Sequence, residues 1–277
     1  MIKMIALDLD NTLLKDDKTI SVVNETVLKQ ARKQGIYVVL CTGRPINAIW
    51  HLIEQLGLTN PADFTITFNG ALVINNTSRE PIAKQGINKA ELDPLYHFLK
   101  DNHFVMDVLD FDQVYPITDM KKSIYEDGLG GLIPFSASTF SELPDKTYAK
   151  VVVAAEPAEV DTVIAAIPDE LRQQYHVVRS QPHILEFLSP TTDKAAGLKA
   201  LLHHFDLDFS HLMAFGDAEN DAGMLKAASV GVAMANSIPE ILALTPYHTD
   251  TNENDGVAKF VTNYFEDKGA KPNPIGR

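Results

Sequence analysis

Met4-Ile5-Ala6-Leu7-Asp8-Leu9-Asp10-Asn11-Thr12 is the stretch on which the fold turns: an apolar run that ends in two aspartates. A continuous run of this kind suits a central strand buried on both faces, with its acidic end at the carboxyl edge of a sheet, where sites form. Working outward, Ser21 is placed to cap a helix with apolar residues at 23, 27, 28 and 31, closed by Gly35. Residues 36–41 read as the next buried strand, and Pro45 opens a helix with apolar positions 46, 49, 50, 53 and 56. Residues 64–68 and 71–74 flank Asn69-Gly70, the strongest two-residue hairpin signal.

Beyond residue 82 the alternation changes character. Residues 83–187 read as a mixed block: helix 91–101, strands 103–109 and 113–117, a stretch containing Gly128, Gly130 and Gly131, strand 148–155, helix 158–173, and strands 176–180 and 183–188. The βα alternation then resumes with helix 193–205, strand 211–215, helix 219–228, strand 229–234 and helices 238–244 and 255–265. The expected fold is therefore α/β, a Rossmann-like parallel sheet formed by 1–82 and 188–277, with an inserted α+β domain over 83–187. The tail, 268–277, carries two Pro and two Gly and reads as disordered.

Composition narrows the function classes. The 277 residues are 45% hydrophobic, enough for one or two domains with sizeable cores. The apolar runs are strand-length, far below the roughly 20 residues that cross a bilayer, and the start turns acidic too soon for a signal peptide. The single cysteine, Cys41, excludes an internal disulfide framework, and the expected location is the cytoplasm. A net charge of −13 argues against nucleic acid and anionic membranes as partners. Oligomeric state is not readable.

Four separated pieces carry chemistry. In Asp8-Leu9-Asp10, two carboxylates at i and i+2 after a buried strand can share a cation, one serving as ligand and nucleophile and the other as proton donor or acceptor. A solvated acidic turn is the competing reading. Thr42-Gly43-Arg44-Pro45 joins a hydroxyl, a glycine and a helix start, which makes either an anion site or a plain helix cap. Lys194, on a first helical turn where the dipole disfavours it, implies solvent or a nearby anion. Gly216-Asp217-Ala218-Glu219-Asn220-Asp221 puts two aspartates on one face of a helix start, a hard-cation site or an acidic N-terminus.

In this order the four pieces resemble the motifs of the haloacid dehalogenase-like superfamily, and more closely its Cof-type sugar-phosphatase branch with a class IIB cap. Asn69-Gly70-Ala71, Val232-Ala233-Met234-Ala235-Asn236 and Asn254-Asp255-Gly256-Val257-Ala258 are further matches to that branch. Two positions depart from it: Asn11 and Ala195 stand where glycine is common, and Asn is the non-glycine residue best suited to a left-handed turn. The resemblance implies a Mg²⁺-dependent phosphatase acting on a small phosphorylated metabolite. It makes Asp8 the nucleophile and Asp10 the general acid and base. Asp8, the Asp10 carbonyl, Asp217 and Asp221 would serve the metal, and Leu9, Thr42, Gly43, Lys194 and Asn220 the phosphate or substrate. The 83–187 block becomes the substrate-selecting cap.

Rival readings are a phosphomutase of the same superfamily and a catalytically inactive phosphate-binding regulator. A cysteine phosphatase on Cys41 lacks its arginine, since Asn47 stands at that place. Trp50, Tyr96, Phe98 and Phe104 read as core residues. Glu186, opposite in direction to its apolar neighbours, serves either the domain hinge or the substrate. Asp107, Tyr115 and His183 are polar positions of the inserted block with substrate and surface readings both open.

Overall fold

The computed structural model describes residues 1–267 except Gly130 and Leu132; the tail expected to be disordered and the Gly130 position lie outside the described residues. The chain divides into two compact units, one formed by 1–43, 49–83 and 194–277, the other by 44–48 and 84–193.

In the first unit, Met4–Leu7 is wholly buried and central. It pairs in parallel with Leu212–Gly216 on one side and Tyr37–Cys41 on the other, with Leu7 opposite both Phe215 and Leu40. The full order is Tyr247–His248, Val230–Ala233, Leu212–Gly216, Met4–Leu7, Tyr37–Cys41, Phe64–Thr67, Leu72–Asn75 and Pro81–Lys84. This is a Rossmann-like parallel sheet, with Leu72–Asn75 antiparallel to Phe64–Thr67. On one face Met4, Ala6, Val39, Cys41 and Ala214 pack on Leu198, Leu201 and Leu202 of helix Lys194–His204. On the other, Phe260 of helix Gly256–Asp267 meets Phe215 edge-on at 5.7 Å. Chain segments from both ends of the sequence thus flank Met4–Leu7, and the strand order reverses there, which opens a crevice at its carboxyl end.

Local signals account for most boundaries. Ser21 Oγ accepts from the Asn24 N–H at 3.0 Å to start helix Val22–Lys33, and Gly35 ends it at φ 82. Pro45 leads into a 3₁₀ turn, Ile46–Ile49, before helix Trp50–Gln55, so the expected single helix is split. Trp50 is only half-buried and lies under the Arg79 guanidinium at 4.0 Å, a stacked surface position rather than the expected core. The Asn69-Gly70 hairpin exists but is not a two-residue turn: Thr67 pairs with Leu72, and Phe68, Asn69 and Gly70 between them all take positive φ of 51, 54 and 100.

The second unit is built on an antiparallel sheet ordered His176–Gln181, Ile184–Leu188, Lys150–Ala154, Asp107–Leu109 and Val114–Pro116. Val108, Val151, Val153, Leu185 and Phe187 point to one face and pack on helices Lys89–Asp101 and Pro157–Ala166. Tyr96 and Phe104 are buried in that core with Phe98 against them, as expected. The helix expected over 158–173 is two helices, Pro157–Ala166 and Asp169–Gln174, because Pro168 cannot continue the first. By the two-residue alternation of a strand, Asp107, Lys150, Val152 and Glu186 occupy the opposite face, where Val152 pairs with both Asp107 and Glu186.

Candidate active site

The four pieces meet at the carboxyl end of the central strand. Asp8 follows directly from Met4–Leu7, its N–H still bonded to Phe215 O at 3.1 Å. The chain then winds one wide helical turn, Leu9–Leu13, closed by Leu14 N–H to Leu9 O at 2.8 Å. Asn11 sits inside it at φ 59, the left-handed conformation its side chain tolerates, and Asn236 Nδ2 donates to Asn11 O at 2.7 Å.

Lys194, the first residue of its helix, is completely buried and bridges two carboxylates: Asp8 Oδ1 at 2.5 Å and Asp221 Oδ1 at 2.6 Å. The disfavoured charge at a helix start is thereby explained by anions. Burial alone would favour the neutral amine, but the Asp221 and Asp8 charges outweigh it and hold the ammonium well above its ordinary range. Asp221 Oδ2 also accepts from the N–H groups of Asp217 and Ala218 at 2.9 and 3.1 Å. Gly216 makes this turn possible: a Cβ there would lie 2.4 Å from Asp221 Cβ.

Asp8, Asp217 and Asp221 bring carboxylate oxygens within 4.8 Å of one another, all buried. Burial first, then the Asp221 charge, pushes Asp8 well above the usual carboxylate range despite Lys194. The same two causes lift Asp217 to about 7, against the hydrogen bond it accepts from Thr12 Oγ1 at 2.8 Å. Three buried carboxylates against one ammonium leave an excess of negative charge in a dry place. Oxygen donors so arranged fit a hard divalent cation, which would return both groups to their ionised forms.

Asp10 differs from its simple i, i+2 expectation. Its carboxylate is not part of the cluster and accepts from exposed Lys18 at 2.9 Å, although its charge reaches Asp217. Alternation assumes extended backbone, and the chain is already turning at Leu9.

Thr42 is buried at the end of Tyr37–Cys41, its N–H bonded to Ile66 O at 2.9 Å and its carbonyl accepting from Asn69 N–H at 3.0 Å. A Cβ on Gly43 would meet the Asn69 side-chain amide at 3.0 Å, a tight contact that the amide would have to yield to. Asn69 Oδ1 in turn accepts from Asn220 Nδ2 at 3.1 Å. Leu9, Thr42, Gly43, Lys194, Asn220 and the acidic group thus all belong to one unit. Lys18, Thr12 and the Asn69–Asn220 link were not assigned from sequence. Asn69 stood out as a turn residue and within the Asn69-Gly70-Ala71 match to the Cof-type branch, neither of which ties it to Asn220, and an exposed lysine after an acidic loop gives no signal of its own.

The remaining sequence candidates lie in the second unit. Tyr115 belongs to its apolar core, with the hydroxyl bonded to Gln113, Lys146 and Asp110. His183 is half-exposed beside strand Ile184–Leu188. Asp107 and Glu186 are buried. No helix of the described residues is long and apolar enough to cross a membrane.

Residues 5–261 match the family model of haloacid dehalogenase-like hydrolases. YxeH of Bacillus subtilis, which carries a provisional phosphatase name, is 32% identical over 260 residues, covering 93% of this chain and 96% of that protein. YitU of the same organism, a 5-amino-6-(5-phospho-D-ribitylamino)uracil phosphatase, is 29% identical, with 95% and 97% covered. Among solved structures, a haloacid dehalogenase-like hydrolase from Bacteroides thetaiotaomicron superposes with a TM-score of 0.81 at 29% identity, covering 96% of this chain and all of that one. The subclass IIB sugar phosphatase BT4131 shares the fold, with a TM-score of 0.79 at 24% identity over 95% and 98% of the two chains. The chain belongs to the haloacid dehalogenase-like hydrolase family.

Proposed function

We propose that this hydrolase is a Mg²⁺-dependent phosphatase that releases phosphate from small phosphorylated metabolites, sugar phosphates among them, through an aspartyl-phosphate on Asp8. The observation that carries the reading is Asp8 itself: a buried carboxylate held by Lys194 beside Asp217 and Asp221. The provisional name of YxeH supports the activity, and the names of YitU and BT4131 support the substrate class.

In this reading an Asp8 oxygen attacks phosphorus as the ester oxygen leaves. Phosphoryl transfer asks a protein mainly to position the reactants and to neutralise the equatorial oxygens. Lys194 supplies one charge, and Thr42 with the backbone N–H groups of Leu9 and Gly43 supplies hydrogen bonds. Asp8, Asp217 and the Asp10 carbonyl would hold the cation, whose contribution is to offset negative charge on the phosphoryl oxygens. Asp221, with its oxygens on Lys194 and the turn's N–H groups, keeps the ammonium and the turn in place. Asp10 protonates the leaving alkoxide and then takes a proton from the water that hydrolyses the intermediate. Lys18 holds the Asp10 side chain between these steps.

The second unit is the cap that selects the leaving group. Phosphate release from a panel of sugar phosphates, with Mg²⁺ and with EDTA, tests the whole reading. Metal-dependent release is expected, and no release from any ester would reject it. Release without a sugar bisphosphate activator separates a hydrolase from a mutase.

A further inference from the structure

The ion pair between Lys18 Nζ and Asp10 Oδ1, 2.9 Å long, joins side chains that are 51% and 16% exposed. An isolated pair of this kind adds little to stability, because a long free side chain loses entropy in holding one geometry. Here the backbone beneath the lysine is fixed. Leu14 and Ile20 face each other in an antiparallel bridge, and the turn between them is closed by Lys15 N–H to Thr19 O at 3.0 Å and Lys18 N–H to Lys15 O at 2.9 Å. Asp17 Oδ1 accepts from the N–H and the hydroxyl of Thr19, at 3.0 and 2.6 Å. Lys18 sits in this turn at φ 67, a left-handed conformation that a lysine holds only where its surroundings impose it.

A distant segment clamps the turn. Buried Asn252 donates through Nδ2 to Leu14 O at 3.0 Å and to Asp16 Oδ1 at 3.1 Å, and Glu253 Oε1 accepts from the Asp16 N–H at 2.7 Å. The Asn252 N–H donates to Asn236 Oδ1 at 3.0 Å, and Asn236 Nδ2 is the group that holds Asn11 O. Two asparagines thus tie the turn that carries Asp10 to the turn that carries Lys18, all within the first unit. A surface ion pair has no need of such a frame. A carboxyl group that must meet a reacting atom does, since a misplacement of about 1 Å can cost on the order of 100-fold in rate. We infer that the clamped turn of residues 14–20 is a positioning element for proton transfer: Lys18 fixes the Asp10 carboxyl group for the leaving oxygen, and Asn252 with Asn236 fixes Lys18. The inference rests on the phosphatase reading. In the step concerned, an Asp8 oxygen bonds to phosphorus and the ester P–O bond breaks. Its electron pair stays on the ester oxygen, which takes the Asp10 proton and leaves a carboxylate facing Lys18.

Two esters separate this role from a structural one. The nitrophenolate of p-nitrophenyl phosphate leaves as a stable anion, whereas the alkoxide of glucose 6-phosphate needs the proton. Lys18→Met is expected to lower kcat/KM for glucose 6-phosphate by about tenfold or more, and for p-nitrophenyl phosphate by less than about threefold. Lys18→Arg should bring the glucose 6-phosphate value back to within about threefold of wild type. Asn252→Ala should act with the same selectivity, and adding it to Lys18→Met should cost little more, because both work through one contact. Hydrogen exchange supplies a readout independent of turnover: amides of residues 14–20 should exchange faster in Asn252→Ala than in the wild type. Equal losses for the two esters in Lys18→Met, the mark of a lost phosphate contact or a damaged fold, would overturn the inference. So would an undiminished glucose 6-phosphate value in Lys18→Met, or unchanged exchange in Asn252→Ala. If the wild type hydrolyses neither ester, the phosphatase reading falls and the inference falls with it; if it hydrolyses both and Lys18→Met is unselective, the inference alone falls.

Discussion

Replacing Lys194 by methionine keeps the length of a fully buried side chain and deletes its charge. In the native chain that ammonium lies 2.5 Å from Asp8 and 2.6 Å from Asp221, with Asp217 in the same cluster. Removing one partner of a buried pair costs about 3–5 kcal/mol, because the other charge is left uncompensated. At about 2–4 °C per kcal/mol for a chain of this size, the loss of Tm is on the order of 10 °C. The pH dependence has a definite sign. Asp8 already sits above the usual carboxylate range, and Lys194 is what pulls it down, so the variant raises it further. A carboxylate whose folded pKa exceeds its unfolded value binds more protons when folded, and stability falls as pH rises from about 4 through the folded value. Lys194→Met should therefore be closest to wild type at pH 5 and furthest at pH 8 in EDTA. Thermal melts at both pH values, with EDTA and with Mg²⁺, measure this, and Mg²⁺ should restore part of the loss at pH 8 by mass action on the folded state. A variant as stable as wild type at pH 8 without metal would refute the electrostatic account of this site.

Two further outcomes follow from the same geometry. Gly216→Ala would place a Cβ 2.4 Å from Asp221 Cβ, with Asp221 Cγ at 2.5 Å. A loss of about 1–3 kcal/mol in stability, with kcat/KM reduced further than the stability loss explains, is expected from urea titration and steady-state assay. Asn69→Ala and Asn220→Ala break one hydrogen bond from its two ends. Each should lower kcat/KM, and the double variant should cost less than the sum by about 0.5–3 kcal/mol, whereas strict additivity would show that the contact does not position Asn220.

The central strand and its acidic end were legible because both signals are local. A run buried on every side reads as apolar throughout, Ser21 and Asn11 carry their turn chemistry in their own side chains, and Gly35 carries it in the lack of one. The four site pieces were legible for the same reason, each being a strand end or a helix start. What joins them was not. Asn69 and Asn220 are 151 positions apart, and Lys194 is 186 from Asp8, so only their order along the chain hinted at proximity. Phe68 at φ 51 gives no warning in sequence, because phenylalanine does not favour that conformation and only the packed hairpin holds it there. Pro168 was visible, yet apolar periodicity on both sides of it suggested one helix. In the second unit, alternation set Glu186 apart with hinge and substrate readings and left Asp107 with substrate and surface readings both open, and their burial follows from tertiary packing that no local pattern encodes.

The central claim is that Asp8 becomes covalently phosphorylated during turnover. Acid quenching of the enzyme in steady state with glucose 6-phosphate or ribitol 5-phosphate and Mg²⁺, followed by peptide mapping, tests it directly. The account expects one phosphoryl group on the peptide containing Asp8, absent with EDTA and absent in Asp8→Asn, whose fold should survive. Phosphate release from Asp8→Asn at the wild-type rate, or a phosphoryl group trapped on another residue, would contradict it.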